Sequence, residues 1–561
     1  MEKNGIYEGC VEALSGMGEG IIKTEGATVF VPFCLTGEKV RFKALKVKDG
    51  IAYGKAEKIV TPSADRAEPR CPVFGKCGGC DIQHMKYGAQ LLFKRRSVEN
   101  TLKKIGGIYA NVEDTVACAN EYGYRNKCAV PISVVNGRTV CGFYAPHSHR
   151  IVPVGDCAIQ QSKVKDVFSA LEEYFKSGVK GYDEVGGKGD IRHFVARNLG
   201  GKFIFALVAV RRVDTAPLVK ELKKRFEEFT LLLNINRGGS NVIFGTEWHT
   251  VVGSGFFGAE EHGIRYRAGA NTFVQVNDEM REKLYSAVLA EAEEGTTAVD
   301  LYSGGGLLTA MLAKKCGKAY GIEAVKEASR CADELKCENG LQDKMFNVCG
   351  KVEDELESVL KKTEGRKMIV CDPPRKGMEK SVVNAVKNSS AEKIVLISCN
   401  PATLARDLGI LTGTLTEKDG ALVKCDTPVS DYEIEKITPF DMFPQTKHVE
   451  TLVTLFHKKP DSHIEVTVDF ENGKIKKDGI IERAESKKPK EKPTYKLIQK
   501  WVEATYGLKV HTAYIAEVKR DLGFLMYDAP NAVEELKRPR AHPTPKMVEA
   551  IKAALKHFEI I

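Results

Sequence analysis

The sequence has no long apolar run. None of its hydrophobic stretches approaches the roughly 18 residues that a membrane-spanning helix needs. The first residues, Met1 to Gly5, lead into a strand-like segment and lack the apolar core of a signal peptide. We therefore expect a cytoplasmic protein that has no membrane partner.

Disulfide bonds are also not expected, although the chain contains 16 cysteines. Cytoplasmic thiols stay reduced, so this number indicates metal ligands, catalysis or plain thiols. The formal net charge of +9 favours an anionic partner only mildly, and a basic surface without a partner explains it equally well. A chain of 561 residues is too long for one core, and we expect three or four domains.

The first 60 residues predict five short strands separated by glycine-rich turns. The predicted strands are 5–12, 19–23, 28–32, 38–47 and 50–59. This pattern is typical of a small OB-like barrel, a fold that often holds single-stranded nucleic acid on one face. A barrel that only packs against its neighbour is the alternative.

Three cysteines, Cys71, Cys77 and Cys80, follow in a Cys-x5-Cys-x2-Cys pattern. Glycines between the last two let the backbone wrap tightly around one centre. Cys157 is available as a fourth ligand, and both iron–sulfur clusters and structural zinc sites commonly use four cysteines. The spacing predicts a metal site, but it does not separate an iron–sulfur cluster from zinc.

A helix is predicted over residues 87–105, with Lys94 on its polar face. Its apolar face is expected to consist of Leu91, Leu92, Val98, Leu102 and Ile105. Residues 110–270 then alternate strands with one or two helices. Basic residues lie beside aromatic ones in several places of this segment, an arrangement that suits phosphate contact and base stacking. A solvated surface explains any single cluster equally well.

Residues 296–456 repeat a strand–helix pattern that predicts a parallel, doubly wound sheet. Its first strand precedes a turn with Gly304 and Gly306, and its second strand ends at Glu323, whose carboxylate can bind ribose hydroxyls. This pairing fits either a dinucleotide or S-adenosylmethionine. The missing G-x-G-x-x-G motif favours S-adenosylmethionine. The stiff Asp-Pro-Pro-Arg turn at Asp372 supports the same choice, because such turns occur in several nucleic-acid methyltransferases.

Cys399 follows the predicted strand 393–397, at the edge where ligands bind in open α/β sheets. A thiolate there can add to carbon-6 of a pyrimidine and make carbon-5 nucleophilic toward a methyl donor. A general base must then remove the carbon-5 proton, and Glu450 and His448 are the candidates. A buried, inert thiol is the alternative for Cys399.

These motifs together resemble the RNA uracil-5-methyltransferases, which make 5-methyluridine in ribosomal or transfer RNA. The matching segments are 273–277, 300–306, 372–377, 398–407 and 448–450, and the resemblance spans roughly residues 3–458. It implies donor contacts at Gln275, Tyr302, Gly304, Gly306, Glu323 and Asp372, with Cys399 as nucleophile and Glu450 as base. The chain departs from the usual pattern at Ser303, Leu307 and Gln445, where many relatives have Cys, Asn and His.

The resemblance also implies a domain organisation. An N-terminal TRAM domain, an OB-like RNA-binding barrel, covers 1–60, and a central α+β domain covers 61–270. A Rossmann-like S-adenosylmethionine-dependent methyltransferase domain covers 271–458, with helix 87–105 packed on it. The central domain holds a 4Fe–4S cluster on Cys71, Cys77, Cys80 and Cys157. RNA is the implied partner, with 23S ribosomal RNA favoured over transfer RNA, and we expect a monomer.

The tail lies outside the family pattern. Residues 459–493 are a basic linker by composition, and 494–561 predict a small helical extension that either grips RNA or serves packing or oligomerisation. Two rival functions remain at this point. One is an exocyclic amino methyltransferase, which needs neither Cys399 nor Glu450, and the other is an RNA-binding or electron-transfer protein built around the cluster.

Overall fold

The computed structural model describes residues 1–184, 186–239, 242–458, 495–522 and 542–558. It divides the chain into two units, Met1–Lys459 and Pro460–Ile561. In the described ranges, no helix combines the length and the apolar character that crossing a bilayer requires.

The first unit begins with a six-stranded sheet. Its strands are β1 Ile6–Cys10, β2 Ala13–Leu14, β3 Gly20–Thr24, β4 Ala27–Val31, β5 Lys39–Lys48 and β6 Ile51–Thr61, in the order β1-β5-β6-β4-β3-β2. The Glu12 N–H donates to the Ile21 carbonyl, which brings the segment after β1 against β3. Val29 and Phe42 fill the core of this sheet. The two-residue strand β2 is too short to be visible as a sequence pattern.

A seven-stranded mixed sheet forms the centre of this unit, after helix α1 (Tyr87–Thr101). Its strands are β7 Lys127–Val135, β8 Arg138–Tyr144, β9 Ile151–Pro153, β10 Ile191–Leu199, β11 Lys202–Ala209, β12 Phe229–Ile235 and β13 Glu247–Val252, in the order β13-β12-β11-β10-β7-β8-β9. Helices α2 (Val164–Phe175) and α3 (Ala216–Lys223) pack on one face, and a hairpin of β14 (Phe256–Glu261) and β15 (Ile264–Gly269) follows.

The third sheet contains the predicted parallel strands. They are β16 Thr297–Leu301, β17 Lys318–Glu323, β18 Met345–Cys349, β19 Lys367–Cys371 and β20 Lys393–Ser398. A hairpin, β21 Leu415–Lys418 and β22 Ala421–Lys424, precedes two strands that extend the sheet in antiparallel fashion, β23 Tyr432–Phe440 and β24 Glu450–His457. The order β18-β17-β16-β19-β20-β24-β23 confirms the Rossmann-like fold.

Helices cover both faces of this third sheet. They are α4 Asp278–Ala290, α5 Leu307–Cys316, α6 Lys326–Glu338, α7 Val352–Lys362, α8 Lys380–Lys387 and α9 Pro401–Leu411. Helices α4 to α6 share one apolar core with the sheet, and α7 to α9 share the other. Burial on both faces explains why the strands read as continuous apolar runs.

The order of the strands reverses at β16, which lies between β17 and β19. The chain leaves β16 toward one edge of the sheet and returns to the other side at β19. Such a switch point opens a crevice at the carboxyl ends of the two diverging strands, and ligands of open α/β sheets bind there. Tyr302 and Asp372 directly follow β16 and β19, so both lie at this crevice.

Helix α1 packs against the third sheet through Val98, with Leu102 in the turn that follows it. The Lys94 ammonium is fully buried and pairs with Asp441, although the sequence placed Lys94 on the polar face. Leu92 and Ile105, expected on the apolar face, are exposed instead. The predicted apolar face is therefore buried at Val98 and Leu102 but not at Leu92 and Ile105. The buried face includes Lys94 instead, because a carboxylate 347 positions away satisfies the lysine.

The second unit contains three described helices, α10 Tyr495–Tyr506, α11 Thr512–Asp521 and α12 Pro545–His557. They share a small apolar core formed by Val502, Ile515 and Ile551. The helical character predicted for this region is therefore present. The predicted linker, 459–493, lies outside the described residues.

Candidate functional site

Two candidate catalytic residues lie side by side at one edge of the third sheet. Strands β20 and β24 run antiparallel with Ser398 opposite Thr451. Cys399 directly follows Ser398 and Glu450 directly precedes Thr451. The end of one strand and the start of the other therefore place the thiol and the carboxyl group at the same edge of the sheet.

The turn at Cys399 is fixed by the residue that follows it. The Asn400 side-chain oxygen accepts a hydrogen bond from the Ala402 N–H at 3.1 Å and caps helix α9. Its amide nitrogen donates to the Arg375 carbonyl at 3.0 Å. This second bond joins the Cys399 turn to the turn that begins at Asp372.

Three ionisable side chains of this edge influence each other. Burial raises the pKa of the Cys399 thiol, and the nearby Glu450 carboxyl raises it further. Burial also raises the pKa of Glu450 well above its usual value, and Asp372 adds to the effect. Burial raises the pKa of Asp372 itself to about 7. Two carboxyl groups and a thiol thus share a partly dry pocket in which a proton can move between them.

Arg375 is the cation of this pocket. It is exposed to solvent, and its charge lowers the pKa of both Cys399 and Glu450 against the effect of burial. His448, the competing base, is half-buried, and burial together with Arg375 lowers its pKa. Of the charged groups around the Cys399 thiol, Glu450 has the largest effect on its pKa, followed by Arg375 and Asp372.

The glycine-rich turn after β16 is held against the end of β17. The Glu323 carboxylate accepts hydrogen bonds from the Gly304 N–H at 2.9 Å and from the Val325 N–H at 2.7 Å. Gly306 has φ +79°, and a Cβ there would lie 2.7 Å from the Ala332 side chain. Only glycine fits this position, because the turn packs closely against α6 there, whereas a Cβ at Gly304 or Gly305 would meet nothing within 4 Å.

Tyr302 and Asp300 lie next to this turn. Tyr302 has φ +65°, an uncommon conformation for a bulky residue that concentrates at functional sites. The Asp300 carboxyl is buried, accepts a hydrogen bond from the Thr309 hydroxyl at 2.6 Å, and has a pKa raised by burial to about 7. Burial raises the pKa of Tyr285 in α4, and the Asp372 carboxyl raises it further.

Gln275 is buried in the loop that precedes α4. Its carbonyl oxygen accepts a hydrogen bond from the Asn126 amide at 3.2 Å, which ties the loop to the central sheet. Asn277 caps α4 by accepting from the Met280 N–H. The loop therefore connects the central sheet to the helix that carries Tyr285.

The four predicted metal ligands line one cavity of about 220 Å³. Cys71, Cys77 and Cys80 enter it from one loop, and Cys157 enters from another. Burial raises the pKa of Cys80 to about 12 and that of Cys157 to about 11. Within the described part of the chain, no group of three or more histidine, cysteine or acidic side chains stands in an arrangement ready to hold a metal ion.

The residues at the strand ends were predicted from the sequence, but three other residues near the site were not. Tyr285 gave no signal, because a tyrosine in an amphipathic helix resembles any core residue. Arg375 belongs to the Asp-Pro-Pro-Arg motif, but the sequence indicated no role for it. Asp441, which fixes α1 on this sheet, was not singled out.

Comparisons with known proteins agree with this geometry. Residues 193–458 match a family described as tRNA (uracil-5-)-methyltransferase. An uncharacterized RNA methyltransferase of Listeria innocua is 37% identical over 462 residues, covering 81% of this chain and 98% of the relative. Another, of Clostridium acetobutylicum, is 36% identical over 466 residues, with the same coverage of both chains.

A solved structure has a similar fold. It is the tRNA (uracil-54, C5)-methyltransferase of Pyrococcus abyssi in complex with S-adenosyl-L-homocysteine. The TM-score is 0.62 at 24% sequence identity, over 80% of this chain and 99% of that one. From these matches, the chain belongs to the family of these bacterial RNA methyltransferases; its residues 193–458 form a tRNA (uracil-5-)-methyltransferase domain, and it is an RNA methyltransferase of the uracil-5 type.

Proposed function

We propose that the protein transfers a methyl group from S-adenosylmethionine to carbon-5 of a uridine in 23S ribosomal RNA. The observation that supports this most directly is the placement of Cys399 and Glu450 at one edge of the sheet, beside Asp372 at the switch point. Methylation of an exocyclic amino group would need neither a nucleophilic thiol nor a second carboxyl group facing it. The site contains both.

The reaction proceeds through a covalent adduct. The Cys399 thiolate adds to carbon-6 of the uracil ring, and the electrons of the carbon-5–carbon-6 double bond become enolate-like. Carbon-5 then forms a bond to the methyl group, which S-adenosylmethionine supplies on an electrophilic sulfonium; the sulfonium sulfur keeps the electron pair. Glu450 removes the carbon-5 proton, the double bond reforms, and the thiolate leaves.

The residues around the pair prepare this sequence. Arg375 favours the ionised forms of both Cys399 and Glu450, as the addition and the proton removal require. Asp372, next to them, is in place to contact the uracil edge or the methyl donor. The donor itself occupies the crevice at Tyr302, Gly304, Gly306 and Glu323, with Gln275 reaching it from the loop before α4.

The cysteine cavity is proposed to hold a 4Fe–4S cluster on Cys71, Cys77, Cys80 and Cys157. Four thiols line one space, and its volume of about 220 Å³ suits a group of several atoms. All-cysteine coordination is the usual environment of such clusters. When bound, the cluster supplies structural order to the loop that contains three of its ligands.

The N-terminal barrel offers a surface for RNA. Tyr53 is exposed and stacks on Phe30 at 5.8 Å, and in the sheet it lies between Phe30 of β4 and Lys46 of β5. Lys43 and Lys55 are paired a short distance along the same strands. An aromatic platform flanked by lysines is the arrangement that binds single-stranded nucleic acid through base stacking and phosphate contact.

The choice of 23S ribosomal RNA rests on the resemblance of the four-cysteine pattern to that of the ribosomal RNA enzymes of the family. Transfer RNA is the alternative, and it is the substrate in the name of the archaeal enzyme. Mapping 5-methyluridine in RNA from cells that lack this protein separates the two. Loss from 23S ribosomal RNA is expected, whereas loss only from transfer RNA would contradict this part of the proposal.

The chemistry is tested by the Cys399→Ala variant, assayed for methyl transfer to RNA. We expect no product, because carbon-5 is not activated without the thiolate. Cys425→Ala is the matched control, since this partly buried thiol only contacts the Thr427 carbonyl, and full activity is expected. Product formation by Cys399→Ala would overturn the covalent route and favour direct methylation of an amino group.

A further inference from the structure

The loop that leads to Glu450 is held by the segment that directly follows the cysteine loop. The Asp81 and Ile82 N–H groups both donate to the Gln445 carbonyl at 3.1 Å. Asp81 is the residue after Cys80, and Gln445 lies five residues before Glu450. A metal-site loop and a base-bearing loop, more than 360 residues apart in sequence, thus share main-chain hydrogen bonds.

The Asp81 side chain makes two further bonds to the same loop. Its carboxylate accepts from the Lys447 N–H at 3.3 Å and from the Lys447 ammonium at 3.2 Å. Both side chains are only partly exposed, at 28% for Asp81 and 21% for Lys447, so solvent screens this ion pair less than a surface pair. Asp81 therefore contacts the loop at both Gln445 and Lys447.

The loop depends on such support, because Gln445 is held in a conformation that glycine favours. Its φ is +70°, a backbone conformation that strains a residue other than glycine. The buried Gln445 side chain is fixed by Gln90, whose amide donates to it at 3.0 Å, and by Glu121, which accepts from it at 2.8 Å. Surrounding contacts, and not local preference, determine the path of the chain toward Glu450.

We propose that Asp81 is a positioning residue, which transmits the order of the cysteine loop to the catalytic base Glu450. The inference rests on the proposed function, because it assumes that Glu450 removes the carbon-5 proton. Filling the cysteine cavity fixes Cys80, and Cys80 fixes Asp81 by direct covalent connection. Asp81 then fixes Gln445 and Lys447, and thereby the approach to Glu450.

Displacing Glu450 without removing it slows only one step, the removal of the carbon-5 proton. Thiolate addition and methyl transfer precede proton removal, so the methylated adduct accumulates when proton removal becomes slow. A purely structural role for Asp81 would lower the amount of folded enzyme and with it the amount of adduct. The direction of the change in adduct therefore separates positioning from general destabilisation.

The test is Asp81→Asn in the full-length protein loaded with its metal, with Asp114→Asn as matched control. Asp114 is also a carboxylate that pairs with one cation, Arg95, but it is 94% exposed and distant in sequence from both loops. For Asp81→Asn we expect about a tenfold loss of kcat, an unchanged KM for RNA and more enzyme trapped with RNA on denaturing gels. Iron and sulfide content per chain should stay unchanged, and Asp114→Asn should behave as the parent.

Amide hydrogen exchange provides a readout independent of activity. In Asp81→Asn, and in protein stripped of its metal, exchange should accelerate in a peptide that covers 443–450. Lys447→Met is the second variant, for the case that Asp81→Asn fails to fold, since it removes the ion pair and leaves the cysteine loop intact. It should show the same kinetic pattern, less marked because its own N–H remains bonded to Asp81.

The inference is wrong if kcat, the adduct level and the exchange rate of both variants equal those of the parent protein. The proposed function would stand in that case, provided that Glu450→Gln still traps RNA. If Glu450→Gln traps nothing, the proposed base is wrong, whatever the Asp81 variants do. The two failures are therefore distinguishable in one set of gels.

Discussion

Replacing Lys94 with Met should destabilise the first unit strongly. The lysine and its partner Asp441 are both fully buried, and the ammonium also donates to the Phe443 carbonyl at 3.0 Å. Removing one member of a buried pair leaves an uncompensated charge and costs about 3–5 kcal/mol. For a domain of about 150–250 residues, 1 kcal/mol shifts Tm by about 2–4 °C, so a decrease of about 6–20 °C is expected.

Arg95→Met is the matched control, one position along the same helix. Arg95 pairs with Asp114, which is 94% exposed, and an exposed pair contributes only about 0–1 kcal/mol. Thermal unfolding followed by circular dichroism measures both variants. A Lys94→Met shift no larger than that of Arg95→Met would refute the reasoning that this buried pair holds α1 on the third sheet. Combining Lys94→Met with Asp441→Leu should recover much of the loss, because no buried charge then remains.

Three further predictions concern the catalytic site, the glycine-rich turn after β16 and the N-terminal sheet. Arg375 lowers the pKa of Cys399 and of Glu450, so both pKa values should be higher in Arg375→Gln. The reaction needs both groups ionised, and its rate should therefore increase at a higher pH than in the parent. Lys376→Gln, at the exposed neighbouring position, should leave the pH–rate profile unshifted. Gly306→Ala should abolish binding of S-adenosylmethionine in calorimetry because its Cβ meets neighbouring atoms at 2.7 Å, whereas Gly305→Ala, whose Cβ meets nothing within 4 Å, should bind normally. Tyr53→Ala should weaken RNA binding by about 1–3 kcal/mol in a filter assay, with the affinity for the methyl donor unchanged.

The sequence was sufficient to place the candidate residues that lie at the ends of strands. A run of apolar residues followed by turn formers marks a strand end, and parallel strands bring their carboxyl ends to one edge. Cys399 and Asp372 could be assigned to the same edge by this rule alone. Glu450 could be proposed only through its motif, since the antiparallel pairing of β24 with β20 has no local signal.

Contacts between distant segments could not be predicted in the same way. Lys94 looks like a solvent-facing residue of a basic helix, and only Asp441, 347 positions later, makes its burial possible. The bonds from Asp81 to Gln445 and Lys447 span a similar distance. Such pairs depend on the packing of whole domains, and a periodicity read over one helix or strand contains no information about them.

The central claim is that Glu450 releases a covalent intermediate formed by Cys399. It is tested most directly by incubating Glu450→Gln with RNA and S-adenosylmethionine labelled in the methyl group, followed by a denaturing gel. We expect a labelled protein–RNA band, because addition and methyl transfer proceed while proton removal is blocked. The band should be absent when the same protein also carries Cys399→Ala. If the Glu450→Gln lane contains only free, unlabelled enzyme and no protein–RNA band, the account is contradicted.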